Sequence, residues 1–570
     1  MNKAKNPAKR GFFWIYISFW LSTVSMMHSS FAQTVQRSYW DRLLHAENGV
    51  SRVQSTDFFI SPNGRNNLEQ ERTEFLKILQ SHEGQKLACQ FPARYKWFAR
   101  EFSETPVFNL NLCSELQDFH NGFQKKTFYI AYVSEYLDAP ASAFGHVMLV
   151  FRDDQAPLDL ADTVHFAATT NREGALTYAI KGLSGGFEGY FIREPFFHKK
   201  KDYLLFEQRA IHLYKIDLSS DEIENMVFHL YELRKAKFQY YFIDENCAFQ
   251  IAELLNVASP NKDYSLNTKQ PNLPIDVIRL NANRISEKLT LSPIIVRQQY
   301  LAAKISESEK RHVQAVINQT ESVTASDSDQ TKELLYLHYQ YAFRRKRMPY
   351  PNHSEIEALD FKESSQHIDL PDPSLKTKKN TWSIGLTQSN LQTQARARWT
   401  PLGDDGPQTQ ISRESRLSIL ETTVDLSKKE AQLEELKLLS MSSTPNQLEM
   451  HQPWSWSVDV SANRRNPQKA LTGEAEIGIG KTWIWKKIRI ESWIAPGVNQ
   501  QEQAKGYVRP KLVISAMLSP ELRMSFNTSR KTFAHKEETT REWGLQYKNI
   551  QLLRRTEGVR ENTLVVHLPF

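Results

Sequence analysis

The chain has 570 residues and a formal net charge of +7. That length exceeds what one hydrophobic core normally supports, so at least two domains are expected. Four of the positive charges (Lys3, Lys5, Lys9 and Arg10) lie in the first ten residues; without them the balance is +3, which makes no case for a nucleic-acid partner.

The basic start runs into an apolar stretch, residues 11–27, and then a small-residue site, Ser30-Phe31-Ala32, before Gln33. This is the layout of a secretory signal peptide over residues 1–32, with a retained N-terminal anchor as the alternative. No cysteine follows the cleavage site, so the mature chain is not itself a bacterial lipoprotein. No later apolar run is long enough for a membrane-crossing helix, which excludes a multi-helix membrane enzyme.

Residues 33–290 read as a mixed α and β domain. Residues 37–44 and 67–81 carry helical periodicity, and 128–133, 146–151 and 163–168 read as strands. The glycine-rich run 182–190 lacks the spacing of a phosphate-binding loop and reads as site walls or tight turns. Residues 219–237 form an amphipathic helix opened by a Ser219/Glu222 capping box. An aromatic strand-like run, 238–243, then gives way to a helix beginning near Cys247. Residues 291–345 read as a helical extension. A Pro-, Ser- and charge-rich linker, 346–380, follows it. The basic cluster Arg344-Arg345-Lys346-Arg347 suits either anionic lipid headgroups or a solvated helix end.

From 381 to 570 the pattern changes to short alternating segments, for example from Trp382, Trp454, Glu474 and Tyr507. The end of the chain sets Leu564, Val566, Leu568 and Phe570 on one face. Alternating strands of about ten residues with aromatic ends suggest an all-β domain, a small outer-membrane barrel of roughly ten to twelve strands. A soluble β-sandwich would look similar. The polar stretches 428–437 and 530–541 are expected as loops outside the bilayer, the first alternatively as a surface helix.

Three cysteines are present: Cys89, Cys113 and Cys247. In an oxidising compartment the economical pairing is Cys89 with Cys113, which leaves Cys247 free; two separate buried thiols are the alternative. Such a crosslink stabilises by roughly 2–4 kcal/mol. Cys247 lies at a helix start, where the helix dipole and free N–H groups favour the thiolate, so a low-pKa nucleophile is expected. His146 opens an apolar strand and is the candidate base, a papain-like arrangement with the histidine first in the chain. His165, on the next strand, is the candidate orienting group. Asn246 and the Cys247 N–H are candidate oxyanion donors, and Asp244 and Glu245 candidate helix caps. The bland alternatives are a small buried hydrophobe at Cys247 and structural histidines. No metal or cofactor motif occurs.

The runs Pro140-Ala-Ser142-Ala-Phe144-Gly145-His146, Val164-His165-Phe166-Ala167-Ala168, residues 181–191 and Asp244-Glu-Asn246-Cys247 resemble the Lnb N-terminal periplasmic domain over about residues 35–290. The resemblance implies an α+β, permuted papain-like (NlpC/LRAT-like) fold, with Cys247 as nucleophile and His146 as base. It further implies an envelope thiol acyltransferase or hydrolase moving an acyl chain from phospholipid to a lipoprotein amine or to water, without a cofactor. Two alternatives use the same residues or none: a cysteine peptidase or amidase acting on peptidoglycan peptides, and a non-catalytic outer-membrane protein. The expected location is the periplasm, with the C-terminal domain in the outer membrane.

Overall fold

The computed structural model describes residues 37–568 except 124–125, 137–142, 170–174, 263, 265, 267–271, 345–367, 369, 371, 376–379, 390–392, 404–414, 428–429, 446–452, 465–469, 501–503, 535 and 558. The signal peptide, Ser142, the basic cluster at 345–347, most of the 346–380 linker and Phe570 lie outside the described residues.

Among the described residues five α-helices come first: α1 (Tyr39–Leu43), α2 (Leu68–Leu79), α3 (Gly84–Gln90), α4 (Pro92–Glu101) and α5 (Ser114–Asn121). The strands of a seven-stranded sheet follow, interleaved with helices: β1 (Thr127–Val133), β2 (His146–Arg152), β3 (Asp162–Ala168), α6 (Ala175–Ser184), β4 (Phe187–Pro195), α7 (Phe196–Lys200) and β5 (Ile211–Ile216). Then come α8 (Ser220–Leu233), β6 (Phe238–Tyr240), α9 (Cys247–Ala258), α10 (Pro274–Leu280) and β7 (Ile285–Leu291). The sheet order is β6-β4-β3-β2-β1-β5-β7, antiparallel throughout.

Both faces of this sheet are covered, which is why β1 and β2 read as nearly continuous apolar runs. Val147, Leu149 and Phe151 pack with α8 and α9 in the main core. Met148 and Val150 pack on the other face with Tyr129, Ala131, Val133, Phe196 and Tyr203. The glycine-rich run is not one loop. It is the end of α6, a turn at Gly185 (φ +74) and the start of β4. A Cβ at Gly182 or Gly185 would meet the Phe242 or Tyr241 ring, so these glycines let the chain ahead of Cys247 lie close.

A fully buried polar chain joins the first helices to α8. Glu232 accepts from the Ala93 and Arg94 N–H groups, at 2.7 and 3.0 Å, and faces Arg94 Nε at 3.4 Å. Arg94 also reaches Glu71, which accepts from the Ile60 and Ser61 N–H groups. His229 Nδ1 lies 3.4 Å from Glu232, and His229 Nε2 lies 2.9 Å from His45 Nε2. Cys89 and Cys113 are disulfide-bonded across 24 residues, tying α3 to the chain ahead of α5.

Helices α11 (Ile294–Ala302), α12 (Glu307–Ile317) and α13 (Asp329–Arg344) form a small core of their own around Leu301, Val316, Leu334 and Leu335. The C-terminal region is a meander of strands: β8 (Thr381–Ser389), β9 (Thr393–Thr400, continued by Leu402–Gly403), β10 (Ser415–Leu426), β11 (Ala431–Ser443), β12 (Ser455–Asn463) and β13 (Thr472–Trp485). It goes on through β14 (Ile488–Gln500), β15 (Ala504–Met517), β16 (Leu522–Thr532), β17 (Glu537–Tyr547), β18 (Ile550–Glu557) and β19 (Val559–Leu568). Strand β8 pairs with both β9 and β19, so the twelve strands close into a barrel with no free edge.

Its polarity is inverted relative to a soluble protein. Along β14, Arg489 and Glu491 are buried, whereas Ile488, Ile490, Ile494 and Val498 are exposed, Ile494 to 63% against 3% for Glu491. Polar residues inside and apolar residues outside are what a lipid solvent selects. The stretches 428–437 and 530–541 depart from the expectation of external loops. Residues 431–437 belong to β11, 530–532 to the end of β16 and 537–541 to the start of β17. Their charges are accommodated because side chains such as Lys437 and Lys531 turn inward to Glu421 and Glu474, at 2.8 and 2.7 Å.

Candidate functional site

The site forms where α9 meets the start of β2. Asn246 is the N-cap of α9: its side-chain oxygen accepts from the Ala248 N–H at 2.9 Å and the Phe249 N–H at 3.4 Å. Its amide nitrogen donates to the Phe242, Ile243 and Asn272 carbonyls. The Asn246 amide is therefore engaged in holding the turn. Asp244 and Glu245, read from sequence as candidate caps, do not cap the helix; Glu245 pairs with Arg52 at 2.9 Å. The far side of α9 is tied down by Glu253, which is buried and ion-paired with Arg37.

Cys247, the first residue of the helix, is buried and the free cysteine among the described residues. Its thiol meets the Val147 N–H, the Tyr240 hydroxyl and the N–H groups of Ala248 and of Cys247 itself. These donors favour the thiolate, but burial outweighs them, and the thiol is pushed up to about 11. The expectation of a low-pKa nucleophile is thus not met in this state. Burial in apolar surroundings raises a thiol, and here it outweighs the helix start and the hydrogen-bond donors.

His146 precedes Val147, so the candidate base is one residue along the strand from the backbone group that meets the thiol. Strand alternation turns its ring to the face of Met148. There it lies 5.8 Å from the His165 ring, edge to face, and 6.3 Å from Tyr203. The register pairs Met148 with His165, which places both histidines on that face. Burial, the nearby His165 and the cations Arg209 and Lys199 hold His146 well below the ordinary histidine range, so it is a neutral imidazole. Its Nε2 has no hydrogen-bond partner.

His165 brings in a residue that sequence reading missed. Its Nε2 lies 2.7 Å from Glu194 Oε1, on the neighbouring strand β4. The His165 hydrogen bond, helped by Lys199 at 2.9 Å, holds the Glu194 carboxyl down at about 2. An ionised Glu194 fixes the hydrogen of His165 on Nε2 and leaves Nδ1 as an acceptor, and Nδ1 too is buried without a partner. Tyr203 and Tyr240 were also missed. Tyr203 sits on a π-helical segment, Lys201–Glu207, a local irregularity common at functional sites. Both hydroxyls are kept protonated, chiefly by burial, and both feel Cys247. Among the described residues no group of three or more His, Cys, Asp or Glu could hold a metal.

Residues 115–284 match the Lnb N-terminal periplasmic domain. Flanking segments match two domains of unknown function, DUF7843 over 32–101 and DUF7840 over 374–558. The first flank supplies His45, Glu71 and Arg94 and the second most of the barrel, so the buried polar chain joins two of the three matched segments. No curated protein matches. A solved structure titled as NanC porin in a rhombohedral crystal form aligns to 34% of this chain and 98% of its own, at 10% identity and a TM-score of 0.23. The barrel rests on its own pairing and polarity. Together with the Lnb domain match, it makes this a cell-envelope protein anchored in the outer membrane.

Proposed function

We propose that the chain is a thiol-dependent acyltransferase of the cell envelope, built on a permuted papain-like domain. The observation that carries this reading is the placement of Cys247 at the head of α9, within a ring of donors that includes the Val147 N–H, the backbone group next to His146 on β2.

In this reading His146 takes the Cys247 proton as the thiol meets an ester carbonyl carbon. The C–S bond forms, the ester C–O bond breaks, and the departing oxygen takes the proton back from the imidazolium. The Cys247 N–H and the Tyr240 hydroxyl are placed to donate to the developing oxyanion. An amine nitrogen, such as a lipoprotein N-terminus, then attacks the thioester, loses its proton to His146 and restores the thiol. With water in that place the outcome is hydrolysis.

The test is intact mass of the full-length protein after incubation with phospholipid vesicles. An acyl adduct is expected on the wild type and absent from Cys247→Ser. No adduct on the wild type, or an adduct that survives Cys247→Ser, overturns the proposal. Cleavage of peptidoglycan peptides without an acyl adduct replaces it with an amidase.

A further inference from the structure

The residues just ahead of His146 are not left in solvent. Ala143 and Phe144, three and two residues before His146, pack in one apolar cluster with Leu417, Ile419, Leu439, Met441 and Trp456 of the barrel. The inside of the barrel is marked by Arg416, which reaches Glu491 on the far strand β14 at 2.8 Å, by Ser418, which donates to Glu421, and by Ser440, which donates to Asp459. Alternation therefore turns Leu417, Ile419, Leu439 and Met441 to the outer wall, the one that faces lipid.

The height of the contact is also defined. Leu417, Met441 and Trp456 lie within two residues of the strand ends at Ser415, Ser443 and Ser455, at one rim of the barrel. The exposed aromatics Trp382, Trp399, Trp454, Trp485 and Tyr547 lie at strand ends on the same rim. A belt of exposed Trp and Tyr marks the level where headgroups meet hydrocarbon. The chain leading into β8 is tied to the catalytic domain at this end: Asp372 accepts from Tyr214 at 2.9 Å and pairs with Lys288. Gly145 lets the chain turn close against β1 just ahead of His146. It sits at φ +95, where a Cβ would come within 2.7 Å of the Val133 carbonyl.

We propose that the outer wall of the barrel forms one side of the entrance to the thiol site, and that an acyl chain enters sideways from the leaflet at this rim, between Phe144 and the wall. This rests on the acyl-transfer reading for what happens next, but not for the entrance itself. The barrel is thus more than an anchor: it sets the height of the site, so the acyl chain need not leave the hydrocarbon before its ester reaches Cys247. A site opening to the aqueous side would leave Phe144 and its wall contacts without a role in substrate access.

Two measurements on the full-length protein test this. In the first, Cys247→Ser protein is reconstituted in vesicles of phosphatidylethanolamine and phosphatidylglycerol carrying a photoactivatable acyl chain. Peptide mapping is expected to find lipid on the segment containing Phe144, and Trp456→Ser or Leu439→Ser to lower that labelling about tenfold. Lipid on the barrel wall alone, or labelling of the Phe144 segment that ignores both substitutions, overturns the proposal. In the second, acyl-adduct formation is compared between bilayer phospholipid and a short-chain phospholipid kept below its micelle threshold. Trp456→Ser is expected to reduce the bilayer-to-soluble rate ratio, and an unchanged ratio overturns the proposal. Labelling at Phe144 in a protein that never forms an adduct would keep the entrance and remove the acyl-transfer reading.

Discussion

Cys247 is set by two opposed effects, and the larger is burial. The helix start and the Tyr240 hydroxyl favour the thiolate, yet the thiol is pushed up to about 11. Alkylation of Cys247 is therefore expected to be slow at neutral pH and to speed up as pH rises toward 11; fast labelling at mildly acidic pH would contradict this. Glu194 acts at one remove, by choosing which nitrogen of His165 carries hydrogen. If His165 in turn holds His146, Glu194→Gln lowers kcat by about ten- to a hundredfold with little change in KM, and alters the pH profile. A loss in KM alone would leave Glu194 a structural residue. Cys247 and His146 could be singled out as candidates in sequence because unusual residue types sit at element starts, and His165 because it falls on the next strand. Glu194 could not: its only tie to the site is the register between β3 and β4, and it looks like any strand-end carboxylate.

At the scale of elements, the polar chain Glu71–Arg94–Glu232–His229–His45 has the highest stake. Glu232 satisfies Arg94, two backbone N–H groups and His229 where no water reaches. Glu232→Ala takes one of two carboxylates from the buried Arg94 and leaves two backbone N–H groups without their acceptor, and an unfolding free energy lower by about 3–5 kcal/mol is expected from denaturant titration. The histidines give the N-terminal domain an acid dependence of definite sign. His45, His146 and His165 all have folded pKa values below the ordinary 6.5, chiefly through burial. The unfolded chain thus binds protons that the folded domain excludes, so their contribution is complete above about pH 6.5 and is lost as pH falls through the lowered values. Melting temperature is expected to fall on acidification below pH 6.5, less steeply in His45→Gln. The helix from 219 and the central strands were readable from periodicity and a capping box. The partition of alternate residues of β2 between two cores was not, because a strand covered on both faces loses its period.

On the scale of the whole molecule, the barrel is crossed by ion pairs. Arg416 on β10 meets Glu491 on β14, and Lys531 on β16 meets Glu474 on β13, so neither pair joins neighbouring strands. Such chords across the lumen suit a plugged anchor better than a water-filled channel. In planar bilayers the purified protein is expected to give no steady conductance, while remaining with membranes through carbonate washing. Open-channel steps in the wild type would contradict the plug, and appearance of steps in Arg416→Ala with Lys531→Ala would support it.

The sequence by itself determined the two-part plan, the candidate nucleophile and base, and the all-β character of the C-terminal region. Each of these is local: periodicity, a helix start and a strand start are written within a dozen residues. It misjudged 428–437 and 530–541, because charge in a strand reads as exposure until a partner across the lumen is known. Only the tertiary structure decided how reactive the resting thiol is, since desolvation depends on what packs around Cys247 from β2, β6 and α9. Only it joined Glu194 to His165 and Phe144 to the barrel wall. Those contacts pair residues distant in the chain, and strand register and domain docking, not nearby sequence, bring them together.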